Sequence, residues 1–302
     1  QGAGSGRLAL TLDADGVHTL HLQVVLYDDL PWIDLIFDLD KQAVSDPESV
    51  YIAFPLALRS PDARYETAGA IVQAGAQQLR NASKDFYAVQ RWVDLNDGAR
   101  GVSIATPDAP LLHFGGFTNH KHQPELVMEQ PYLVSWPMNN HWWTNFAQKQ
   151  SGWTRFRYRL LPYQGGFDAA RAARLGAEIA AEPLILPVTD RESGLLTRSV
   201  DVPQHLPQSS GLFTVTPESV AVAGLKPAED GRGIIVRLQE IDGRAASAQL
   251  MFSGATLESV EGCNLLEEAD GSGGVSADGD AVRVEIAPYH LRTVRVIFAA
   301  VP

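Results

Sequence analysis

Alternation of apolar and polar residues with a period of two dominates this chain and restricts its fold more than any other feature. Leu8, Leu10 and Leu12 carry the pattern up to an Asp15-Gly16 pair, and Leu20, Leu22, Val24 and Leu26 resume it beyond. Successive side chains of a strand point to opposite faces, and Asp-Gly favours the tight turn of a hairpin, so two paired strands are predicted here. Ile33, Leu35, Phe37 and Leu39 then alternate with Asp34, Asp38 and Asp40, which sets one face in a core and leaves the other largely wet. Further strands are predicted around Val50–Leu56, Phe86–Asp94, Gly101–Ala105, Leu111–Phe114 and Thr154–Leu160. So many non-local pairings imply a large antiparallel sandwich, not a βαβ sheet.

One segment breaks the period. Asp168 is placed to cap a helix running through Arg171, Leu175 and Ile179, with Leu175 and Ile179 one turn apart on a single face and Pro183 ending it. Pro183, Pro187, Pro203 and Pro207 then mark a connector. From about Gly211 short strands return at Leu212–Val215, Val220–Ala223, Ile234–Leu238, Ala248–Phe252, Val282–Ile286 and Thr293–Phe298, with turns at Asp242-Gly243 and within Asp270–Gly274. The expected organisation is all-β: a large sandwich over 1–165, a helix and Pro-rich connector over 166–210, and a compact sandwich of immunoglobulin-like size over 211–302.

Composition narrows the function classes. A length of 302 residues favours about two domains, each able to bury a core. The formal charge of −12 opposes a phosphate backbone, so no nucleic-acid partner is expected. No apolar run approaches the roughly 18 residues that a membrane-spanning helix needs, and no membrane partner is expected either. Cys263 is the only cysteine, which excludes an internal disulfide and a multi-thiolate metal site but does not fix the compartment.

The densest chemistry lies in Trp136-Pro137-Met138-Asn139-Asn140-His141-Trp142-Trp143-Thr144-Asn145-Phe146, closed by Gln150-Ser151-Gly152. An indole presents a flat apolar face to the C–H surface of a pyranose, and Asn and Gln offer a donor and an acceptor to ring hydroxyls. Each such polar group costs about 1–3 kcal/mol if buried without a partner, so the segment either faces a polar ligand or forms a satisfied internal network plugging one end of the sandwich.

That segment resembles part of the C-terminal region of glycoside hydrolase family 38, the α-mannosidases, particularly their bacterial members. Other stretches resemble the same region in the same order: Val50–Leu56, Gln90–Asp94, Gly101–Ala105 with Asp108-Ala109-Pro110, Val236–Glu240 and Ile286–Thr293. The resemblance implies that the first unit is a portion of a galactose-mutarotase-like supersandwich, which packs on the catalytic barrel and helps wall the substrate cleft. It also implies that the nucleophile, the acid/base and the zinc ligands belong to an N-terminal α/β barrel, which nothing here resembles. The polypeptide is therefore expected to be a C-terminal part, with Gly2-Ala3-Gly4-Ser5-Gly6 as a linker or an artificial scar, and to turn over no mannoside alone. No cofactor is expected in this chain, and zinc is implied for the barrel. The implied partners are that barrel, on the same polypeptide, and a mannose-containing glycan. Asn139, Asn140, His141, Trp142 and Asn145 are the candidate substrate-side or domain-interface residues.

Other constellations have plainer readings. In Arg91-Trp92-Val93-Asp94, Arg91 and Val93 share one face while Trp92 and Asp94 share the other, so Arg91 and Trp92 form either a sugar-stacking platform with an ion pair or an ordinary piece of core. His113, His120 and His122 suggest a metal site on spacing alone, against the commoner solvated reading. Arg155, Arg157 and Arg159 line one strand face and suit bidentate bridges to nearby carboxylates. Asp34, Asp38, Asp40 and Asp94 supply the groups of a retaining glycosidase, which needs two carboxylates about 5–5.5 Å apart, but nothing singles out a pair. Two further functions remain open: an aldose 1-epimerase, by the superficial likeness of Asn140-His141-Trp142 to that family's Asn-His-aromatic segment, and a stand-alone carbohydrate-binding module.

Overall fold

The computed structural model describes residues 4–117, 121–141, 148–181, 183–184, 209–271 and 273–299. The chain divides into two compact units, 1–180 and 181–302. The first holds twelve strands and one helix: β1 (Ser5–Leu12), β2 (Val17–Tyr27), β3 (Ile33–Lys41), β4 (Ser49–Pro55), β5 (Asp62–Thr67), β6 (Ala70–Gln73), β7 (Tyr87–Ala88), β8 (Trp92–Asn96), β9 (Arg100–Ala105), β10 (Leu111–Phe114), β11 (Tyr132–Asn139), β12 (Gly152–Gln164) and α1 (Ala169–Ala180). An eight-stranded sheet in the order β1-β2-β3-β12-β9-β8-β5-β6 faces a four-stranded sheet in the order β4-β11-β10-β7. Every pairing is antiparallel, and the hairpin at Asp15-Gly16 sets Leu8 opposite Val24, Leu10 opposite Leu22 and Leu12 opposite Leu20.

Between the sheets lies the core that the alternation anticipates. Leu39 and Phe156 come from one sheet, Phe54, Leu112, Phe114 and Leu133 from the other, and Tyr158 stands across the gap with its hydroxyl 2.8 Å from Ser135 Oγ. Helix α1 covers the opposite face of the larger sheet, burying Ala172, Leu175 and Ile179 against Trp92, Ala105 and Leu161. Asp168 caps it, its Oδ1 accepting from the Arg171 N–H at 3.0 Å. Gly176 permits the close approach, since a Cβ there would fall 2.8 Å from Trp92 Cδ1. Full burial of an indole of this size contributes roughly 4–6 kcal/mol by area, an upper bound.

Two sequence expectations change. The single strand predicted over Phe86–Asp94 is two strands in opposite sheets, β7 and β8, because Val89 and Gln90 donate to Pro110 O and Glu66 O as the chain crosses between layers. The aromatic and amide-rich segment also begins inside a strand, since β11 runs to Asn139. Pro137 is tolerated there because Ser135 pairs with Ile52 and Met138 with Val50, a bulge that leaves one extra residue on β11.

The second unit comprises β13 (Phe213–Thr216), β14 (Val220–Pro227), β15 (Ile234–Glu240), β16 (Ala246–Phe252), β17 (Leu257–Cys263), β18 (Val275–Asp278), β19 (Ala281–Ile286) and β20 (Leu291–Phe298). Two four-stranded sheets, β13-β16-β19-β18 and β14-β15-β20-β17, enclose Val236, Leu238, Leu250, Val282, Val284, Val294 and Val296. The fold is thus all-β, a large sandwich portion followed by a smaller one, with a single helix, in the first unit, among the described residues. No described helix is long and apolar enough to cross a membrane.

Candidate functional site

Four strand ends converge at one end of the first sandwich. Asn139 closes β11 opposite Ser49 at the start of β4, and Lys41 closes β3 opposite Gly152 at the start of β12. Between them opens a small, half-open depression of about 20 Å³, lined by Lys41, Glu48, Ser49, Asn139, Asn140 and Gln148 among others. That is room for about one water molecule or one hydroxyl group.

Its floor is charged and fixed. The Lys41 ammonium is buried, donates to Gly16 O at 3.0 Å and Gln42 O at 3.1 Å, and pairs with Glu48. The wall is held by Asn140. Its Nδ2 donates to Val44 O, Asp46 O and Gln148 O at 3.2, 3.0 and 3.2 Å, while its Oδ1 accepts from the Glu48 N–H. One carboxamide therefore ties together the strand ends on either side of the depression. Asn139 differs: its Oδ1 and the Oγ of Ser49 are both buried and have no hydrogen-bond partner. Two orphaned polar atoms beside a depression are what a hydroxylated ligand or bridging water would satisfy.

The remaining candidates are dispersed. His141 is half-buried at the margin of the described residues, and Trp142 and Asn145 lie outside them. Trp136 is buried on the four-stranded sheet, 5.8 Å from Tyr51 and 5.3 Å from His113. Arg91 grips Glu66 through two hydrogen bonds, the Nε–Oε2 bond at 2.8 Å, and Trp92 is fully buried beneath α1. The structure does not bring Arg91 and Trp92 to the depression. Lys41, Glu48 and Ser49 were not singled out in the sequence, and no local signal marks them, because Gly16, Asn139 and Asn140 reach them from distant parts of the chain.

The carboxylates are largely committed elsewhere. Arg155 and Arg159 hold Asp38 and Asp34 in two-pronged bridges across β3, at 2.6–2.9 Å, and Arg157 holds Asp108 at 2.9 Å. Asp94 is buried and accepts from Ser103 Oγ and Tyr163 OH, and burial raises its carboxyl pKa above the ordinary value even though those hydrogen bonds and the nearby Arg171 and Arg64 charges pull it down. His113 is buried with Nδ1 2.8 Å from Asp85 O, while His120 lies outside the described residues. Among the described residues, no three His, Cys, Asp or Glu side chains converge to hold a metal.

The second unit contains a comparable polar hub. Glu240 is fully buried at the end of β15, and its carboxylate accepts from the backbone N–H groups of Asp242, Gly243, Arg244 and Tyr289 at 2.8–3.2 Å. This hub joins the stretches Val236–Glu240 and Ile286–Thr293.

Comparison with known proteins places this architecture. Residues 5–109 match the family described as glycosyl hydrolases family 38 C-terminal domain, and residues 219–294 match the glycosyl hydrolases family 38 C-terminal beta sandwich domain. The Trp136–Gly152 segment lies between the two matched stretches. The chain is 23% identical over 262 residues to alpha-mannosidase 2C1 of Mus musculus, an alignment that covers 83% of this chain and 22% of that protein. Two crystal structures from Enterococcus faecalis share the fold at 15% identity and 92% coverage of this chain. One is a family 38 protein with a TM-score of 0.66, the other an α-mannosidase with a TM-score of 0.67. The chain spans 29% and 28% of those two chains.

Proposed function

Because this chain belongs to glycosyl hydrolase family 38, whose C-terminal β region it carries, we propose that it shapes the carbohydrate cleft of a parent enzyme hydrolysing terminal α-mannosides. The observation that carries the reading is the depression at the root of the Trp136–Gly152 segment, where Asn139 Oδ1 and Ser49 Oγ are buried without partners beside the Lys41–Glu48 pair. In this reading the nucleophile, the acid/base and the zinc with its ligands belong to an N-terminal barrel of the same polypeptide, and the chain alone is not catalytic.

The chain's contribution is positioning. Asn139 and Ser49 orient a hydroxyl of a mannose-containing glycan. Asn140 fixes the wall, and His141, together with Trp142 and Asn145 outside the described residues, is assigned to the glycan side or the barrel interface. Holding a substrate in a reactive pose can lower a barrier by several kcal/mol without donating a proton. Arg91 and Trp92 serve this frame indirectly, through the strand and helix they brace.

The test compares the 302-residue chain with the full parent on an aryl α-mannoside. The parent is expected to turn over and the isolated chain, with zinc added, to remain silent. Asn139→Ala in the parent is expected to lower kcat/KM about tenfold, roughly 1.4 kcal/mol of transition-state binding. Turnover by the isolated chain that an active-site inhibitor abolishes would overturn the proposal.

A further inference from the structure

The outward face of the eight-stranded sheet is covered at one end only. Phe156 and Tyr158 of β12 point into the inter-sheet core, so Trp153, Arg155, Arg157, Arg159 and Leu161 of the same strand face the other way. Helix α1 covers Leu161. Trp153 lies at the far end of the strand, about 27 Å from Leu161 at the rise of an extended chain. There its side chain meets solvent, and the residue is 62% exposed. Tryptophan is on average a well-buried residue, so an indole left this open calls for an occupant.

The cross-strand neighbours of that indole are polar. Asp40 of β3 stands directly opposite Trp153, and Thr19 of β2 stands opposite Asp40. In the next row, Arg155 holds Asp38 through two hydrogen bonds at 2.6 and 2.9 Å, His21 is opposite Asp38, and Thr11 is opposite His21. The imidazole of His21 lies nearly parallel to the indole, at 9° with 5.9 Å between ring centroids, and its Nδ1 is 3.2 Å from Thr11 Oγ1. The indole is thus oriented by a ring that is itself tethered. Asp40 is half-buried and makes no hydrogen bond or ion pair among the described residues. A fixed aromatic plate therefore adjoins an uncommitted carboxylate.

We propose that Trp153, with Asp40, Thr19 and Arg155 around it, is a binding platform for an uncharged hexopyranose unit of a glycan, separate from the depression. The pyranose lays its C–H face on the open side of the indole, while its hydroxyls donate to the Asp40 carboxylate and accept from the Arg155 guanidinium. A protein surface is the poorer occupant, because a dry contact over Trp153 would bury the Asp40 charge without a partner, whereas sugar hydroxyls answer it. An anion is poorer still, with Asp38 and Asp40 on this face and a formal charge of −12 on the chain. The platform and the depression lie on opposite faces of β3: Lys41, which lines the depression, follows Asp40, and successive side chains of a strand point apart. The platform therefore works whether or not a sugar occupies the depression, and whether or not the parent hydrolyses mannosides.

Titrating mannobiose and then cellobiose into the 15N-labelled 302-residue chain tests this through the indole N–H resonance of Trp153, assigned by its loss in Trp153→Phe. With at least one of the two sugars the resonance should move, with a millimolar Kd. Asp40→Ala should weaken that Kd about tenfold, the loss expected for hydrogen bonds to a charged group. Asn139→Ala should leave it unchanged. Both Trp153→Phe and Asp40→Ala should keep the melting midpoint of the chain, which separates lost binding from lost folding. A resonance that stays still with both sugars well above millimolar concentration, or a Kd that Asp40→Ala leaves intact, would overturn the proposal. A shift abolished by Asn139→Ala would move the sugar to the depression and overturn it as well. So would a Trp153→Ala substitution that lowers the melting midpoint of the full parent but not of the chain, since the indole would then be a contact between domains.

Discussion

Asn140 and Glu240 solve the same problem in different units. Each is one side chain that gathers the backbone at a loop end: Asn140 offers its amide to three carbonyls and its oxygen to one N–H, and Glu240 receives four N–H groups. The surroundings separate them. At Glu240 the local hydrogen-bond demand closes on itself, and Gly243, with φ at +70s values in the left-handed region, sits so close to Tyr289 that a Cβ would fall 2.5 Å from its hydroxyl. Beside Asn140, the neighbouring Asn139 Oδ1 and Ser49 Oγ stay unmatched. A dense polar motif therefore signals loop bracing as readily as ligand binding.

The largest expected effect comes from Glu240→Ala, which strands several partly buried N–H groups and should cost about 3 kcal/mol or more in denaturant unfolding of the chain. Glu240→Gln should recover only part of this, since its NH2 meets donors; full recovery would show that hydrogen-bond polarity is irrelevant there. At Asn140 the order reverses by chemistry. Asn140→Asp should be more destabilising than Asn140→Ala, which we expect to cost about 2 kcal/mol, because a carboxylate would face three carbonyl oxygens. Equal losses would mean that the brace is steric.

Asp94 extends the comparison to a carboxylate held by side-chain hydroxyls. Its folded pKa is raised above the ordinary value near 3.8, so the folded state binds the proton more tightly than the unfolded state. The stability this contributes is complete below the ordinary value and is lost as pH rises through the raised one. Asp94→Asn should therefore flatten the melting midpoint against pH just above pH 3.8, and an unchanged slope would assign the titration elsewhere. The smallest effect on stability is expected for Asn139→Ala, below about 0.5 kcal/mol. Together with its loss of activity in the parent, that would set Asn139 apart from Asn140 despite identical chemistry.

Much of the frame was legible because its signals are local. The β1–β2 hairpin follows from alternation around Asp15-Gly16, and the start of α1 from Asp168. The resemblance to family 38 likewise rested on short runs whose order survives in the chain. The split into β7 and β8 was not legible, because both pieces are apolar and only their partners in opposite layers separate them. Trp92 shows the same limit: alternation put it on the face of Asp94, but only helix α1 made that face an interior.

Periodicity, capping and motif order were thus settled by the amino-acid sequence itself, since each depends on neighbours within a few positions. Which amide is spent on the backbone and which is left open, and which leucines of a uniform row are covered, was decided by the tertiary structure. Hydrogen bonds and apolar contacts are satisfied by whatever arrives from elsewhere in the chain. Two adjacent asparagines with the same chemistry consequently come to hold unlike positions.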